Sequence, residues 1–312
     1  MAAHRIGVAL TGVTAVLAVA TPAQAASTGT ARVVRSGATP VIAFKAGAGK
    51  QNRVVVSRSG TTVTIDDQVR IKAGAGCAAV KGDVTKVRCT VGGSPVLDIG
   101  LGDRHDVFLN KTAITAVIHG GTGPDTLYGG LGKDSVFGDG GTDRLYGGEG
   151  DDHLQAGPGG TTEDYLSGGI GDDVLLGSPG KNYLNAGDGD DVVYPGAGDD
   201  WTYAGYGDDI VRDSTGNDTV DAGMGDDRVS GGPGNDKLWG AEGNDVIYGG
   251  PGTDHLTGDD GDDLLNASAD GPAAPYDTAP DTIDGGAHVL GDRAWTRPED
   301  TPVNCETITP LP

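Results

Sequence analysis

A nine-residue unit repeats sixteen times between Gly120 and Asn266, and this period constrains the fold more than any other feature of the sequence. Fifteen copies have nine residues and one has twelve, which accounts for the whole length of the block. The sixth position is Asp in fifteen copies and Asn182 in the other, and the eighth is Leu, Val or Ile in fifteen and Thr202 in the other. Because a unit this short cannot bury an apolar face alone, the copies must stack on one another to form a core.

The repeat block carries essentially all of the negative charge of the chain. It contains 28 Asp and 3 Glu against 6 Lys plus Arg, a net charge of −25, whereas the whole chain has −23. Aspartates stacked about 5 Å apart repel one another, so a compact state of this glycine-rich block is disfavoured without a counter-ion. Calcium, a hard cation that takes about six to eight oxygen ligands, fits this need. The acidic surface argues against nucleic acid or anionic lipid as a direct partner.

The composition of a single unit resembles a known family. The first copy reads Gly120-Gly121-Thr122-Gly123-Pro124-Asp125-Thr126-Leu127-Tyr128, and this pattern is similar to the haemolysin-type (RTX) calcium-binding repeats of secreted bacterial proteins. The resemblance covers about half of the chain and implies an all-β fold, a right-handed parallel β-roll (β-solenoid) with two repeats per coil. It implies that the first six residues form a turn and the last three a short strand. The eighth side chain then points inward, and the seventh and ninth point outward.

The resemblance also implies that several calcium ions (Ca2+) are held by turn carbonyls and sixth-position carboxylates. Asp125 and Asp143, for example, lie two repeats apart and would share one edge of the roll. The predicted metal ligands are Asp125, Asp134, Asp143, Asp152, Asp164, Asp173, Asp191, Asp200, Asp209, Asp218, Asp227, Asp236, Asp245, Asp254 and Asp263. The fifth-position acids are predicted to add charge without being ligands; they are Asp151, Asp172, Asp190, Asp199, Asp208, Asp226 and Asp262. The alternative, a solvated acidic linker, conflicts with sixteen copies in register that keep their apolar position.

Residues 1–25 have the pattern of a secretory signal peptide, which predicts a secreted, extracellular protein. His4 and Arg5 precede an apolar run from Ile6 to Ala20, and Ala23-Gln24-Ala25 matches a cleavage site. The alternative, a membrane anchor, is disfavoured because a run of fifteen residues is short for a span. No later apolar run in the sequence is long enough to cross a bilayer, so no membrane span is expected.

Residues 26–119 differ from the repeats and are predicted to form a strand-rich N-terminal cap region. Short β-branched runs such as Arg53–Val56 and Thr62–Ile65 alternate with Gly, Asn and Asp. Cys77 and Cys89 lie twelve residues apart in a chain predicted to enter an oxidising compartment. This favours a disulfide, which the chain-entropy model values at ~3 kcal/mol. For Cys305 the sequence leaves open both a bond between chains and a thiol.

Degenerate segments flank the repeat block, residues 120–266. Asp98–Asn110 resembles a decayed repeat and is predicted to form a lead-in coil, with Asp106 in the aspartate place. Residues 267–312 are predicted to hold a degenerate seventeenth unit at Asp281 and a cap for the far end. Within the block, Gly160–Thr162 lengthens the fifth copy and is predicted to bulge from its turn.

The sequence favours a protein that is not an enzyme. His-Glu-x-x-His, Gly-x-Ser-x-Gly and a Walker-type phosphate loop do not occur in it. A scattered catalytic group in residues 26–119 stays open as an alternative, because folds host function only through specific sites.

Outward aromatic side chains support a further alternative, an adhesin that binds a cell-surface or extracellular polysaccharide. The aromatic residues are Tyr128, Phe137, Tyr146, Tyr194, Tyr203, Trp239 and Tyr248 at ninth positions, and Trp201 at a seventh. Their rings could stack on sugars, or on each other across coils to shield the sheets. The second interpretation is favoured because these residues are expected to alternate between two faces instead of forming one stripe. The leading hypothesis is therefore a secreted calcium-binding protein with a structural or adhesive role.

Overall fold

The structure, a computed structural model, describes residues 28–158, 163–267, 281–286, 293–296, 300–305 and 307–310. The predicted signal segment 1–25 and the predicted bulge at Gly160–Thr162 lie outside the described residues. Every regular element among the described residues is a β-strand. Within the same residues, no helix has the length and apolar character that crossing a membrane requires.

The strands follow one another with short turns between them. Those before the repeats are β1 (Gly29–Ser36), β2 (Thr39–Lys45), β3 (Arg53–Ser59), β4 (Thr62–Asp66), β5 (Ile71–Ala73), β6 (Cys77–Val80), β7 (Asp83–Thr90), β8 (Val96–Asp103), β9 (Val107–Asn110) and β10 (Ala116–Thr122). The first half of the repeat block forms β11 (Thr126–Gly130), β12 (Ser135–Gly140), β13 (Arg144–Glu149), β14 (His153–Gln155), β15 (Asp164–Ile170), β16 (Val174–Leu176), β17 (Asn182–Asp188) and β18 (Val192–Tyr194). The second half forms β19 (Trp201–Tyr206), β20 (Ile210–Arg212), β21 (Thr219–Met224), β22 (Arg228–Ser230), β23 (Lys237–Glu242), β24 (Val246–Tyr248), β25 (His255–Asp260) and β26 (Leu264–Asn266). The last strands are β27 (Thr282–Asp284), β28 (Arg293–Thr296), β29 (Thr301–Val303) and β30 (Thr307–Pro310).

Alternate strands build two sheets, which we call sheet I and sheet II. The described strands of sheet I run in the order β30, β28 and so on down the even numbers to β8, and then β2, β1 and β5. Those of sheet II run from β29 down the odd numbers to β9, and then β3, β4, β7 and β6. In the repeats each strand pairs in parallel with the strand two places away, so Leu127 lies opposite Leu145 and Val136 opposite Leu154. The predicted parallel β-solenoid with two repeats per coil is therefore confirmed.

The core is a double row of eighth-position side chains between the sheets. Leu127, Val136, Leu145 and Leu154 are fully buried, and the same position is buried in every later copy to Leu265. Their neighbours on each strand are less buried, as the alternation of a strand requires. Thr202 occupies this row at the copy that lacks an aliphatic residue, and it too is fully buried.

Strand lengths differ between the two sheets, and here the prediction of a uniform three-residue strand was wrong. Sheet I has three-residue strands from β14 to β26, whereas in sheet II β13, β15 and β17 have six or seven residues. The longer strands continue into the next repeat because its second position keeps pairing: Gly148 lies opposite Gly169, and Gly169 opposite Gly187. A single nine-residue period cannot reveal this, since it treats both halves of a coil alike.

Segments on both sides of the repeats extend the same two sheets. At the N-terminal side β2 pairs in parallel with β8 and β3 with β9, and the antiparallel hairpin partners β1 and β4 lie outside them. Ile42, Val54 and Ile65 join the same buried cluster as the repeat core. A disulfide joins Cys77 on β6 to Cys89 on β7. At the other side β27 to β30 continue both sheets in parallel.

The outward aromatic residues are less evenly divided than the sequence analysis expected. Tyr128, Tyr146, Tyr165, Tyr183 and Trp201 lie on five successive strands of sheet II, β11 to β19, and form what we call the aromatic row. The residues named in the sequence analysis do lie on both sheets, with Phe137, Tyr194 and Tyr248 on sheet I, but Tyr165 and Tyr183, at seventh positions, extend those of sheet II into a row. The rings of Tyr128 and Tyr146 stack with centroids 4.6 Å apart, so mutual stacking does occur.

Candidate metal centre

Two columns of sixth-position side chains line the solenoid where each turn enters its strand. The first column precedes the strands of sheet II and contains Asp106, Asp125, Asp143, Asp164, Asn182, Asp200, Asp218, Asp236, Asp254 and Asp281. The second column precedes the strands of sheet I and contains Asp134, Asp152, Asp173, Asp191, Asp209, Asp227, Asp245 and Asp263. All fifteen predicted ligands are at most 3% exposed, so the structure brings them together as two buried stacks.

One oxygen of each carboxylate closes a hydrogen bond to the neighbouring coil. The backbone N–H of Asp125 donates to Oδ1 of Asp143 at 2.8 Å, and that of Asp134 donates to Oδ1 of Asp152 at 2.7 Å. The same bond recurs down both columns, as from Asp209 to Asp227 and onward. Every buried sixth-position N–H needs an acceptor, and the Asp of the next coil supplies it. The sixth-position Asp therefore holds adjacent coils in register in addition to contributing negative charge.

In most of these carboxylates the second oxygen has no donor among the described residues. Oδ2 is buried and lacks a hydrogen-bond partner among the described residues in a long series of column members. These are Asp106, Asp125, Asp134, Asp143, Asp152, Asp173, Asp191, Asp200, Asp209, Asp218, Asp227, Asp236 and Asp245. A buried charged oxygen without a partner is strongly unfavourable, so each of these carboxylates needs either a cation or a proton.

Backbone carbonyl oxygens lie beside these lone oxygens. A Cβ atom added to Gly120 would lie 2.5 Å from Oδ2 of Asp125 and 2.8 Å from the carbonyl oxygen of Gly138. At Gly129 the corresponding atoms are Oδ2 of Asp134 at 2.8 Å and the carbonyl oxygen of Gly147 at 2.7 Å. The first position is alanine instead at Ala156, Ala186, Ala204 and Ala222. In the glycine copies, a carboxylate oxygen and a carbonyl oxygen therefore converge on one small space, and both are acceptors.

Asn182 shows which kind of group this space accepts. Its Nδ2, the counterpart of Oδ2 in the other copies, donates to the carbonyl oxygens of Ser178 at 2.8 Å, Gly180 at 2.8 Å and Pro195 at 3.2 Å. It also donates to Oδ1 of Asp200 at 3.0 Å. A donor is thus surrounded by four oxygens here, whereas Asp125 and Asp134 each place an acceptor beside a carbonyl oxygen. Several converging hard oxygens are the donor set that calcium prefers, so these residues fit calcium.

Burial disturbs the titration of the columns. Desolvation raises the pKa of Asp125 and Asp134 to about 7 and that of Asp227 to about 8. Backbone hydrogen bonds to Oδ1 oppose the shift, and neighbouring carboxylates add to it for Asp125 and Asp227. The physical cause is the low polarity around the buried carboxylate, which disfavours its charged form.

The fifth-position acids lie outside the columns, on the surface of the turns. The backbone N–H of Asp208 donates to Oδ1 of Asp190 at 2.9 Å, and that of Asp226 donates to Oδ1 of Asp208 at 3.0 Å. These bonds run in the opposite direction to those of the sixth position, from the later coil to the earlier one. Because the groups are exposed and have donors, the structure gives them a turn-linking contact and does not bring them into the buried stacks.

Three further aspartates belong with the columns, and two of them, Asp106 and Asp281, were predicted only as members of degenerate segments. Asp106 accepts from the N–H of Asn52 at 2.6 Å, and Asp281 accepts from the N–H of Asp254 at 2.7 Å, so both occupy the first column. Asp213 was missed. It stands at the first position of its repeat, and one carboxylate oxygen each from Asp200, Asp213 and Asp218 lie within 4.8 Å of one another. The signal was present, since Asp replaces the usual Gly or Ala there.

Fold and site together define a parallel β-solenoid whose turns carry two columns of buried carboxylates. A family model described as the RTX calcium-binding nonapeptide repeat (4 copies) matches residues 117–145, 137–173, 167–201, 203–238 and 239–270. About half of the chain therefore consists of RTX repeats, which are of the calcium-binding kind characteristic of secreted bacterial proteins. None of the curated proteins matches the chain at a significant level.

Proposed function

We propose that the protein is a secreted, non-catalytic calcium-binding protein whose solenoid folds when its two columns take up a ladder of calcium ions. The observation that carries this proposal is the series of buried Oδ2 atoms without donors, as in Asp125 and Asp134. The family match supports calcium as the ion. Export is supported by the signal pattern of residues 1–25 and by the usual setting of RTX repeats.

The proposed ligands are the fifteen sixth-position aspartates of the repeats, joined by Asp106 and Asp281, with first-position carbonyl oxygens such as those of Gly138 and Gly147. Bound calcium supplies the positive charge that the columns lack. The chain itself supplies the spacing: Oδ1 fixes each carboxylate to the adjacent coil, and Oδ2 is left directed toward carbonyl oxygens. Residues far apart in sequence thereby share one row of oxygens.

Repulsion between the stacked carboxylates explains why folding would depend on the ion. Two unit charges about 4.8 Å apart, the spacing of adjacent strands, repel by roughly 3 kcal/mol at an effective dielectric constant of about 20. A column repeats that contact at nearly every coil. Stability of an ordinary domain is only about 5–15 kcal/mol, so charge repulsion along two columns is enough to oppose the narrow aliphatic core.

The test is a calcium titration of the mature chain, residues 26–312, followed by circular dichroism and small-angle scattering. We expect an expanded chain with little β-structure in metal-free buffer and a compact β-rich particle in millimolar calcium, the range of many extracellular sites. Magnesium at the same concentration is the matched control and should not restore the β signal, because it demands a tighter octahedral shell. A chain that is equally compact and ordered without metal would disprove the proposal.

The aromatic row favours a second candidate role, adhesion to a polysaccharide. Tyr183 and Trp201 lie opposite each other on β17 and β19 and are 36% and 42% exposed. A flat sheet with adjacent exposed rings suits stacking on sugar rings, which bury apolar ring faces. This role would use the folded solenoid as a scaffold and would leave the columns to their own task.

A retention experiment separates the two roles. Trp201→Ala and Tyr183→Ala should each reduce retention on an extracellular-polysaccharide column in calcium, while Tyr248→Ala on sheet I is the control and should not. Calcium-induced folding should be the same in all three variants. Equal retention of every variant, or no retention of the wild type, removes the adhesive role and leaves the calcium proposal intact.

A further inference from the structure

One turn of the first column differs in composition from all others in the repeat block. Its first position is Asp213, whereas the other fifteen copies have Gly, Ala or, once, Pro195. The first position lies beside the sixth-position Oδ2 of its own repeat, as the contacts of Gly120 with Asp125 show. A carboxylate at the first position therefore adds a third acidic group, where the other fifteen copies have glycine, alanine or proline.

The three carboxylates converge. One oxygen each from Asp200, Asp213 and Asp218 lie within 4.8 Å of one another. Asp200 is 3% exposed and Asp218 is 1% exposed, and Oδ2 of all three residues is buried without a hydrogen-bond partner in the described part of the chain. No Lys or Arg among the described residues forms an ion pair with any of them.

The other oxygens of the cluster are already used, which leaves the inner ones directed at each other. Oδ1 of Asp218 accepts from the N–H of Asp200 at 2.8 Å, and Oδ1 of Asp200 accepts from the N–H of Asn182 at 2.6 Å. The backbone thus holds two of the carboxylates in place. In the adjacent turn, the side-chain amide of Asn182 donates to the carbonyl oxygens of Ser178 and Pro195. That turn therefore needs no cation of its own, and no second cation would compete with one bound in the cluster.

We propose that Asp200, Asp213 and Asp218 form a three-carboxylate cation site within the first column, which differs from the repeating sites by its third carboxylate and binds a hard cation more tightly than any other turn. Its ligand is calcium, or a trivalent ion of similar size, because hard cations take carboxylate oxygens and a third negative charge strengthens the attraction. This inference rests on the proposed calcium function and adds an order of filling: the site loads first as free calcium rises. It would be the point at which the first column begins to close.

The test compares the full mature chain with Asp213→Gly, which restores the usual residue, and with Asp213→Asn, which keeps the shape. Calcium binding is measured by flow dialysis from micromolar to millimolar free ion, and terbium emission excited through tryptophan is measured in parallel. Trp201 directly follows Asp200, so its indole is the sensitiser nearest to the cluster along the chain. Asp188→Asn is the control. Asp188 is exposed on β17, which pairs with β19 in sheet II, so this variant removes one charge outside the cluster.

We expect the wild type and Asp188→Asn to show one tightest step that both Asp213 variants weaken by at least about tenfold, since one full charge is lost from the site. Folding in millimolar calcium should persist in all four proteins. An unchanged tightest step in Asp213→Gly, or tighter binding by it, would overturn this inference, the second result meaning that Asp213 fills the space of an ion. Failure of the wild type itself to fold with calcium would instead overturn the proposed function.

Discussion

The backbone N–H of Asp227 donates a 2.9 Å hydrogen bond to Oδ1 of Asp245, two repeats later, and Oδ2 of Asp245 stays buried without a donor. This pair shows the arrangement that recurs along both columns. One oxygen holds adjacent coils in register, and the other is the proposed cation ligand. The sixth-position aspartate is thus both a structural hydrogen-bond acceptor and a proposed ligand, and these two roles can be separated by substitution.

Asp245→Asn should keep the first role and remove the second. The amide oxygen can still accept from Asp227, while Nδ2 can donate to the carbonyl oxygen of Gly258, as Asn182 donates to that of Pro195. We expect at least one calcium ion fewer per chain and a higher calcium midpoint of folding, measured by flow dialysis and circular dichroism. Asp226→Asn removes the same charge from an exposed fifth position, two repeats earlier, and is the control. Equal midpoints in the two variants would count against Asp245 as a ligand.

Asn182→Asp should have the opposite effect. The substitution replaces a donor that contacts the carbonyl oxygens of Ser178, Gly180 and Pro195 by a carboxylate oxygen that repels them. The number of bound calcium ions should rise by one, and any residual order in metal-free buffer should fall. Asn217→Asp, at an exposed fifth position, adds the same charge outside the column and should leave the ion count unchanged. A constant ion count in both variants would show that Asn182 does not occupy an ion's place.

Metal-free protein should become less ordered as pH rises. Burial raises the pKa of Asp125 to about 7 and that of Asp152 and Asp191 to about 8, above the value of about 4 expected in an unfolded chain. The folded state then binds more protons between these limits, so its stability falls from about pH 4 to pH 8. Circular dichroism of resin-stripped protein at pH 5.5 and pH 8 should show more β-structure at the lower pH. With calcium the trend should reverse, because ligands must be deprotonated. Metal-free β-structure that increases with pH would contradict this prediction.

Thr202→Val should stabilise the calcium-loaded protein. Thr202 is fully buried in the aliphatic row, and its Oγ1 has no hydrogen-bond partner among the described residues. Replacing a buried hydroxyl of this kind by a methyl group of similar volume should raise the free energy of unfolding by about 1–2 kcal/mol. Urea unfolding in excess calcium measures the change, and Thr219→Val, which points outward on the next strand of sheet II, is the control. A loss of stability would mean that the hydroxyl makes a contact we have not recognised.

The sequence predicted the solenoid and the membership of its columns because the nine-residue period is local information. A constant Asp and a constant aliphatic residue at fixed places, from Asp125 and Leu127 onward, require that stacked copies bring like positions together. The division into two columns and two sheets follows once two repeats make a coil. Outside the strict period, the sequence predicted Asp106 and Asp281 only as members of degenerate repeats.

Only the tertiary structure decided what each column oxygen contacts. The period does not say that Oδ1 is consumed by an N–H two repeats away, that Nδ2 of Asn182 faces carbonyl oxygens, or that Asp213 meets Asp200 and Asp218. It likewise could not show that Tyr165 and Tyr183 complete a row on one sheet. Sequence fixes which residue types recur, whereas contacts across coils depend on strand register and turn path, which join residues eighteen or more positions apart.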